Sequence, residues 1–122
     1  MYKVYVVFIS MFFILGTLNL SAFNKEHTDN LKGNPDSFVL NQNYPNPFNP
    51  TTILSYTLKT PAVVKLSVYN LVGQEVQVVV DEYQNAGSYE YTFDAASLPT
   101  GVYLYKLQVG ESSSVKRMTL VK

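Results

Sequence analysis

From residue 37 onward, short apolar runs alternate with turn residues about every ten positions, the rhythm of a chain built from strands rather than helices. The pattern predicts a first strand over 37–40 and a second over 51–58, with Leu54, Tyr56 and Leu58 sharing a face and Thr60-Pro61 ending it. A third strand over 63–69 sets Val64, Leu66 and Val68 against Lys65 and Ser67. Residues 70–74 turn the chain, with Gly73 supplying positive φ, and a fourth strand covers 75–80 before a polar loop over 81–87. The alternation is cleanest over 88–94, with Tyr89, Tyr91 and Phe93 inward. A sixth strand over 102–109 carries Tyr103, Tyr105, Leu107 and Val109 on one side, and a hairpin turn over 110–113 leads to a closing strand over 114–121. Seven short strands with one apolar face each bury that face best as two antiparallel sheets packed together.

A proline-punctuated stretch, Asn43-Tyr44-Pro45-Asn46-Pro47-Phe48-Asn49-Pro50-Thr51-Thr52, interrupts this rhythm. Each proline fixes φ and removes a backbone donor, so no helix or interior strand passes through. Tyr44, Asn46 and Asn49, each preceding a proline, are pushed toward extended dihedrals. The expectation is a stiff, extended lead-in to the second strand, pinned to the sheet by Tyr44 and Phe48.

Residues 1–22 read as a signal peptide: Lys3 supplies the positive start, Val4 to Leu18 is almost wholly apolar, and Leu20-Ser21-Ala22 offers a small residue for cleavage. The rival reading, a retained anchor, needs a longer apolar span than this one, which Ser10, Gly16 and Thr17 interrupt. Residues 23–37 form a polar linker containing the lone histidine, His27, whose ordinary role in such a tail is a solvated side chain. The domain proper is then 38–122.

Composition narrows the function. Nine basic and nine acidic residues give zero net charge, and removing the leader with Lys3 leaves 8 − 9 = −1; no basic run exceeds Lys116-Arg117, so neither nucleic acid nor an anionic membrane is a supported partner. Without cysteine there is no disulfide frame and no thiolate nucleophile. Ten Tyr and seven Phe must supply the core instead. One His and no Cys exclude the usual nucleophile–base pairs and zinc ligand sets. The adjacent acidic pair, Asp81-Glu82, lacks a third ligand at calcium spacing. No phosphate-cradling loop is present, so no cofactor, small-molecule substrate or catalysis is expected.

Leu98-Pro99-Thr100-Gly101-Val102-Tyr103 places a tyrosine just inside the sixth strand after a Pro/Gly corner. That is the position of the tyrosine corner of immunoglobulin-like and fibronectin type III sandwiches, although a plain core aromatic would fit the pattern too. The same residues approach the sortase motif L-P-x-T-G, but the intervening residue is missing and a strand follows where an apolar tail is required.

Four blocks in order resemble one family. They are the proline stretch, V-K-L-S-V-Y-N-L-V-G-Q-E-V (64–76), A-G-S-Y-E-Y-T-F-D-A (86–95) and L-P-T-G-V-Y-L-Y-K-L (98–107); the last eight residues, V-K-R-M-T-L-V-K, are similar to that family's final strand. The family is the type A C-terminal sorting domain of type IX secretion cargo, and the resemblance covers 38–122. Its fold is similar to the immunoglobulin-like domain of the flagellar hook-capping protein. The resemblance implies an address rather than a reaction: export by the signal peptide, reading of the folded domain by an outer-membrane translocon, cleavage by a surface sorting peptidase, and attachment at the cell surface or release. The residues matching the family's motifs are Pro45, Asn46, Pro47, Gly73, Gly101, Tyr103, and Val115, Lys116, Met118, Leu120 and Lys122 of the closing strand. If that strand lies at a sheet edge, its unpaired backbone groups suit strand addition. The 15 residues between the leader and the domain leave no room for a folded cargo. The alternative from another class is a small extracellular immunoglobulin-like binding or adhesion module, which an exposed patch of Tyr83, Tyr56 and Tyr69 would favour.

Overall fold

The computed structural model of the protein describes residues 35–122; the leader, His27 and most of the polar linker lie outside the described residues. A single 3-10 turn, Pro35–Ser37, leads into seven strands: β1 (Phe38–Leu40), β2 (Thr51–Leu58), β3 (Ala62–Tyr69), β4 (Glu75–Gln84), β5 (Gly87–Asp94), β6 (Gly101–Val109) and β7 (Ser112–Leu120). They form a three-stranded sheet ordered β1-β2-β5 and a four-stranded sheet ordered β4-β3-β6-β7. Every strand pair is antiparallel. The domain is the all-β, seven-stranded, two-sheet sandwich that the apolar alternation predicts.

The inward faces read from the sequence meet in one core. Leu54, Tyr56 and Leu58 of β2 and Phe93 of β5 pack in the same buried cluster as Val64, Leu66 and Val68 of β3, Tyr105 and Leu107 of β6 and Met118 and Leu120 of β7. This joint burial of alternate side chains from two sheets is what holds the layers together.

Several boundaries differ from the sequence reading. The polar stretch 81–84 is strand, not loop: β4 runs to Gln84, pairing Asp81 with Lys65 and Tyr83 with Val63. Two register shifts, at Leu66/Ser67 and Val68/Tyr69, break the alternation of β4, so its apolar and polar residues do not sort by parity. The β6–β7 turn is only Gly110-Glu111, tighter than the expected four residues, because the ladder continues out to Val109↔Ser112. Ser67 does stand on the outer side of β3, yet it is buried at 2% exposure, and its Oγ has no hydrogen-bond partner among the described residues.

The strand directions give the sandwich two ends. At one lie the entry from the linker, fixed by the Lys59 amide donating to the Ser37 carbonyl at 2.8 Å, and the connections at 59–61, 85–86 and 110–111. At the other lie the proline segment 41–50, the 70–74 turn, the 95–100 connection and the chain's last residues.

Candidate functional site

The proline segment does not run extended. It bends at 45–47 and again at 49–50, with the Tyr44–Pro45, Asn46–Pro47 and Asn49–Pro50 bonds all cis. Its shape is held by polar side chains at its root. Asn43, 2% exposed, donates from Nδ2 to the Pro45 carbonyl (3.1 Å) and to Thr52 Oγ1 (3.0 Å). Thr52 Oγ1, on the core face of β2 and 1% exposed, donates in turn to the Pro45 carbonyl at 2.8 Å. Beneath them the Tyr105 hydroxyl accepts from the Asn43 amide and donates to the Asn41 carbonyl, both at 2.7 Å. These buried polar groups find partners in one another, as burial demands. Burial pushes the Tyr105 phenol up to about 12, although the Asn43 N–H bond works against that rise.

Phe48 anchors the tip. Its ring is 2% exposed and meets Phe93 edge-on at 6.2 Å between centroids. Tyr44, expected to pin the segment as well, is 78% exposed; its backbone does the pinning, through paired amide–carbonyl bonds with Ile53 of 3.2 and 2.9 Å. The end of the segment is tied by the Ala95 amide donating to the Pro50 carbonyl at 2.9 Å.

The segment and the closing strand are joined. β7 is an edge strand, and the C-terminal half of its free edge is covered by the proline arm. Gln42 Nε2 donates to the Arg117 carbonyl (2.8 Å), and the Thr119 amide donates to Asn46 Oδ1 (3.0 Å). The Phe48 amide donates to the Thr119 carbonyl and the Val121 amide to the Phe48 carbonyl, both at 2.9 Å, making a parallel bridge between Phe48 and Leu120. Lys122 Nζ then reaches the Ala96 carbonyl at 2.8 Å. Of the residues matching the sequence motifs, Asn46 and Leu120 thus take part in the junction, while Lys122 ties the end of the chain to the 95–100 connection. Met118 and Leu120 lie in the core at 0% exposure, whereas Pro45, Asn46 and Pro47 are exposed. Val115 and Lys116 lie beyond the arm's reach along β7, Val115 at 52% exposure.

The remaining motif residues stand apart. Gly73 has φ 85 in a turn whose other side is closed by Asn70, with Oδ1 accepting from the Gln74 amide at 2.9 Å and the Val72 amide at 3.2 Å. Leu71 and Val72 project from this turn. Tyr103 donates its hydroxyl to the Pro99 carbonyl at 2.6 Å, which makes it a corner tyrosine. Gly101 has φ 158, at the margin of extended backbone, and a Cβ there would meet nothing within 4 Å.

No local pattern singles out Asn43, Thr52 or Gln84, and the alternation places Tyr105 only on one face of the sixth strand. Gln84, 5% exposed, accepts from the Tyr56 hydroxyl and donates to the Tyr91 hydroxyl at 2.7 Å. Tyr56 stacks on Tyr89 and Tyr91 at 5.4 and 6.2 Å. Burial first, then Tyr91 alongside, raises the Tyr56 phenol well above its ordinary value. The proposed aromatic patch does not exist: Tyr56 is fully buried, and Tyr83 and Tyr69 sit at opposite ends of the β3–β4 ladder. Asp81 and Glu82 are consecutive residues of β4, paired with Lys65 and Val64 of β3, and no group of three His, Cys, Asp or Glu capable of holding a metal occurs among the described residues.

The family model for the secretion system C-terminal sorting domain matches residues 42–121, a span running from the root of the proline arm to the amide that closes it on β7. No curated protein matches the chain. A solved structure of PorZ, an essential bacterial surface component of the type IX secretion system of Porphyromonas gingivalis, is similar at 14% identity with a TM-score of 0.45. The likeness covers 71% of this chain and 12% of that one.

Proposed function

Because this chain belongs to the family of secretion system C-terminal sorting domains, we propose that its sandwich is a non-catalytic address that takes the polypeptide across the outer membrane by the type IX route. The reader is the outer-membrane translocon, with a sorting peptidase acting at the linker and the cell surface or the medium as destination. The observation that carries this reading is the junction of the proline arm with β7. Residues about 70 positions apart in sequence, Asn46 and Thr119, are hydrogen-bonded to each other (|i−j| of 73), so exposed Pro45, Asn46 and Pro47 stand beside the chain terminus only in the folded domain. An address of that kind reports that the domain is folded before export.

The test is transplantation. Residues 1–22, a fluorescent protein and residues 38–122, fused in that order, are expected at the surface or in the medium of a cell with type IX machinery. The same fusion is expected to stall in the periplasm of a strain lacking the translocon. A fusion that stays periplasmic in the competent strain overturns the proposal.

A further inference from the structure

β7 has one more property that its family membership does not supply. The backbone groups pointing away from β6 belong to alternate residues, and their direction is fixed by the arm's bonds to the Arg117 carbonyl, the Thr119 amide and carbonyl and the Val121 amide. By the two-residue period of a strand, the amide and carbonyl of Ser113 and Val115 and the amide of Arg117 point the same way. No backbone bond of the arm reaches Ser113 or Val115, and β1, which lies beside β7, does not pair with it. Ser113, Val115 and Arg117 are all exposed. This half-edge is also straight: β7 pairs with β6 from Gly101↔Leu120 to Val109↔Ser112 with no register shift. The other edge strands are less open to pairing or differ in charge. β1 has three residues, β4 is irregular at two places, and β5 carries Glu90 and Asp94.

Charge separates the edges further. Residues 101–122 carry Lys106, Lys116, Arg117 and Lys122 against Glu111, a side-chain balance of 4 − 1 = +3. Residues 35–100 carry Lys59 and Lys65 against Asp36, Glu75, Asp81, Glu82, Glu90 and Asp94, 2 − 6 = −4. Lys106 is the direct cross-strand neighbour of Val115, and Arg117 that of Leu104. The half-edge is therefore a basic strip around one exposed valine. Lys116, opposite Tyr105, projects toward the core side from the edge, an inward charge of the kind that deters edge pairing unless the incoming strand brings a carboxylate to meet it.

We propose that the half-edge from Ser113 to the Arg117 amide receives an extended acidic segment of an export-machinery protein as an added strand, with the proline arm acting as a stop that sets where pairing ends. This inference rests on the sorting function proposed above. The added strand gains backbone bonds to Ser113 and Val115, an apolar contact with Val115, and carboxylates facing Lys106, Lys116 or Arg117.

The experiment uses the full chain in a type IX-competent cell and measures surface or medium protein against periplasmic protein. Val115→Pro removes an outward amide that β6 does not use, at an edge position where proline is tolerated. Its export is expected to fall about tenfold or more, while its thermal midpoint stays close to that of the parent chain. Lys116→Glu with Arg117→Glu is expected to lower export similarly, since both reverse the sign of the strip and leave the backbone intact. Normal export of a folded Val115→Pro chain overturns the proposal. If Val115→Pro does not fold, normal export of the charge-reversed chain overturns it instead. Failure of the parent chain to leave the periplasm overturns the sorting function itself, and this inference with it.

Discussion

Asn43 and Tyr105 show how a single buried polar atom sets the shape of a loop. Replacing Tyr105 with Phe removes a hydroxyl that both accepts from the Asn43 amide and donates to the Asn41 carbonyl. Leaving a buried amide unpaired costs about 1–3 kcal/mol, so Tyr105→Phe is expected to lower stability by about 2–3 kcal/mol in urea. Tyr103→Phe loses only the bond to the Pro99 carbonyl, at an exposed residue that water can serve, and about 1 kcal/mol is expected. Equal losses for the two variants would contradict this difference in burial. Gly73 makes a different prediction. Its φ of 85 lies in the left-handed region, and a Cβ there meets no atom within 4 Å. Gly73→Ala should therefore cost about 1–2 kcal/mol through the backbone alone, and Gly73→Asn distinctly less.

The buried phenols also set a pH dependence. The folded protein holds the Tyr105 proton up to about 12, whereas the unfolded chain releases it near the ordinary 10.0; the Tyr56 shift has the same direction. Above pH 10 the unfolded state binds fewer protons than the native state, so stability falls as pH rises. For Tyr105 the contribution is complete below pH 10 and lost progressively toward 12. The unfolding midpoint should decline over that window, and the decline should be shallower in Tyr105→Phe.

At the scale of the element, β7 is two half-strands that differ only on one edge. The Thr119 and Val121 amides are bonded to the arm, while those of Ser113 and Val115 point away from β6 and have no backbone partner. Amide hydrogen exchange is expected to show slow exchange at 119 and 121 and fast exchange at 113 and 115. Asn46→Ala should speed exchange at Thr119 far more than at Met118, whose amide belongs to the β6 ladder. Uniform protection along β7 would rule out the divided edge.

For the whole molecule, the two ends of the sandwich carry different business. The linker enters at one end and the proline arm, the 70–74 turn and the terminus gather at the other. Removing residues 118–122 takes Met118 and Leu120 from the core and the partners of Asn46 and Phe48 from the arm. Two fully buried large side chains contribute about 3–6 kcal/mol, comparable to the whole stability of a domain this size. That truncated chain is expected to unfold at ordinary temperature, as judged by near-UV circular dichroism, rather than to remain folded and merely unread.

The period-two alternation of Leu54-Tyr56-Leu58, Val64-Leu66-Val68 and Tyr103-Tyr105-Leu107 was enough to determine the strand class, the inward faces and the sandwich, because burial on a pleated sheet depends on side-chain parity alone. Gly73 and Tyr103 were likewise legible, since a turn needing positive φ and a corner phenol are local demands. The reach of β4 through Asp81 was not, because an edge strand can be polar on nearly every residue and its bulges erase the alternation. Nor could the sequence show that Asn43, Thr52 and Tyr105 form one hub, or that Asn46 caps Thr119. Those partners lie up to 73 positions apart, and no local pattern encodes a hydrogen bond that exists only once two sheets have closed. The prolines determined that residues 45–50 leave the ladder; the closed sandwich alone decided that they return to cover half of its last strand.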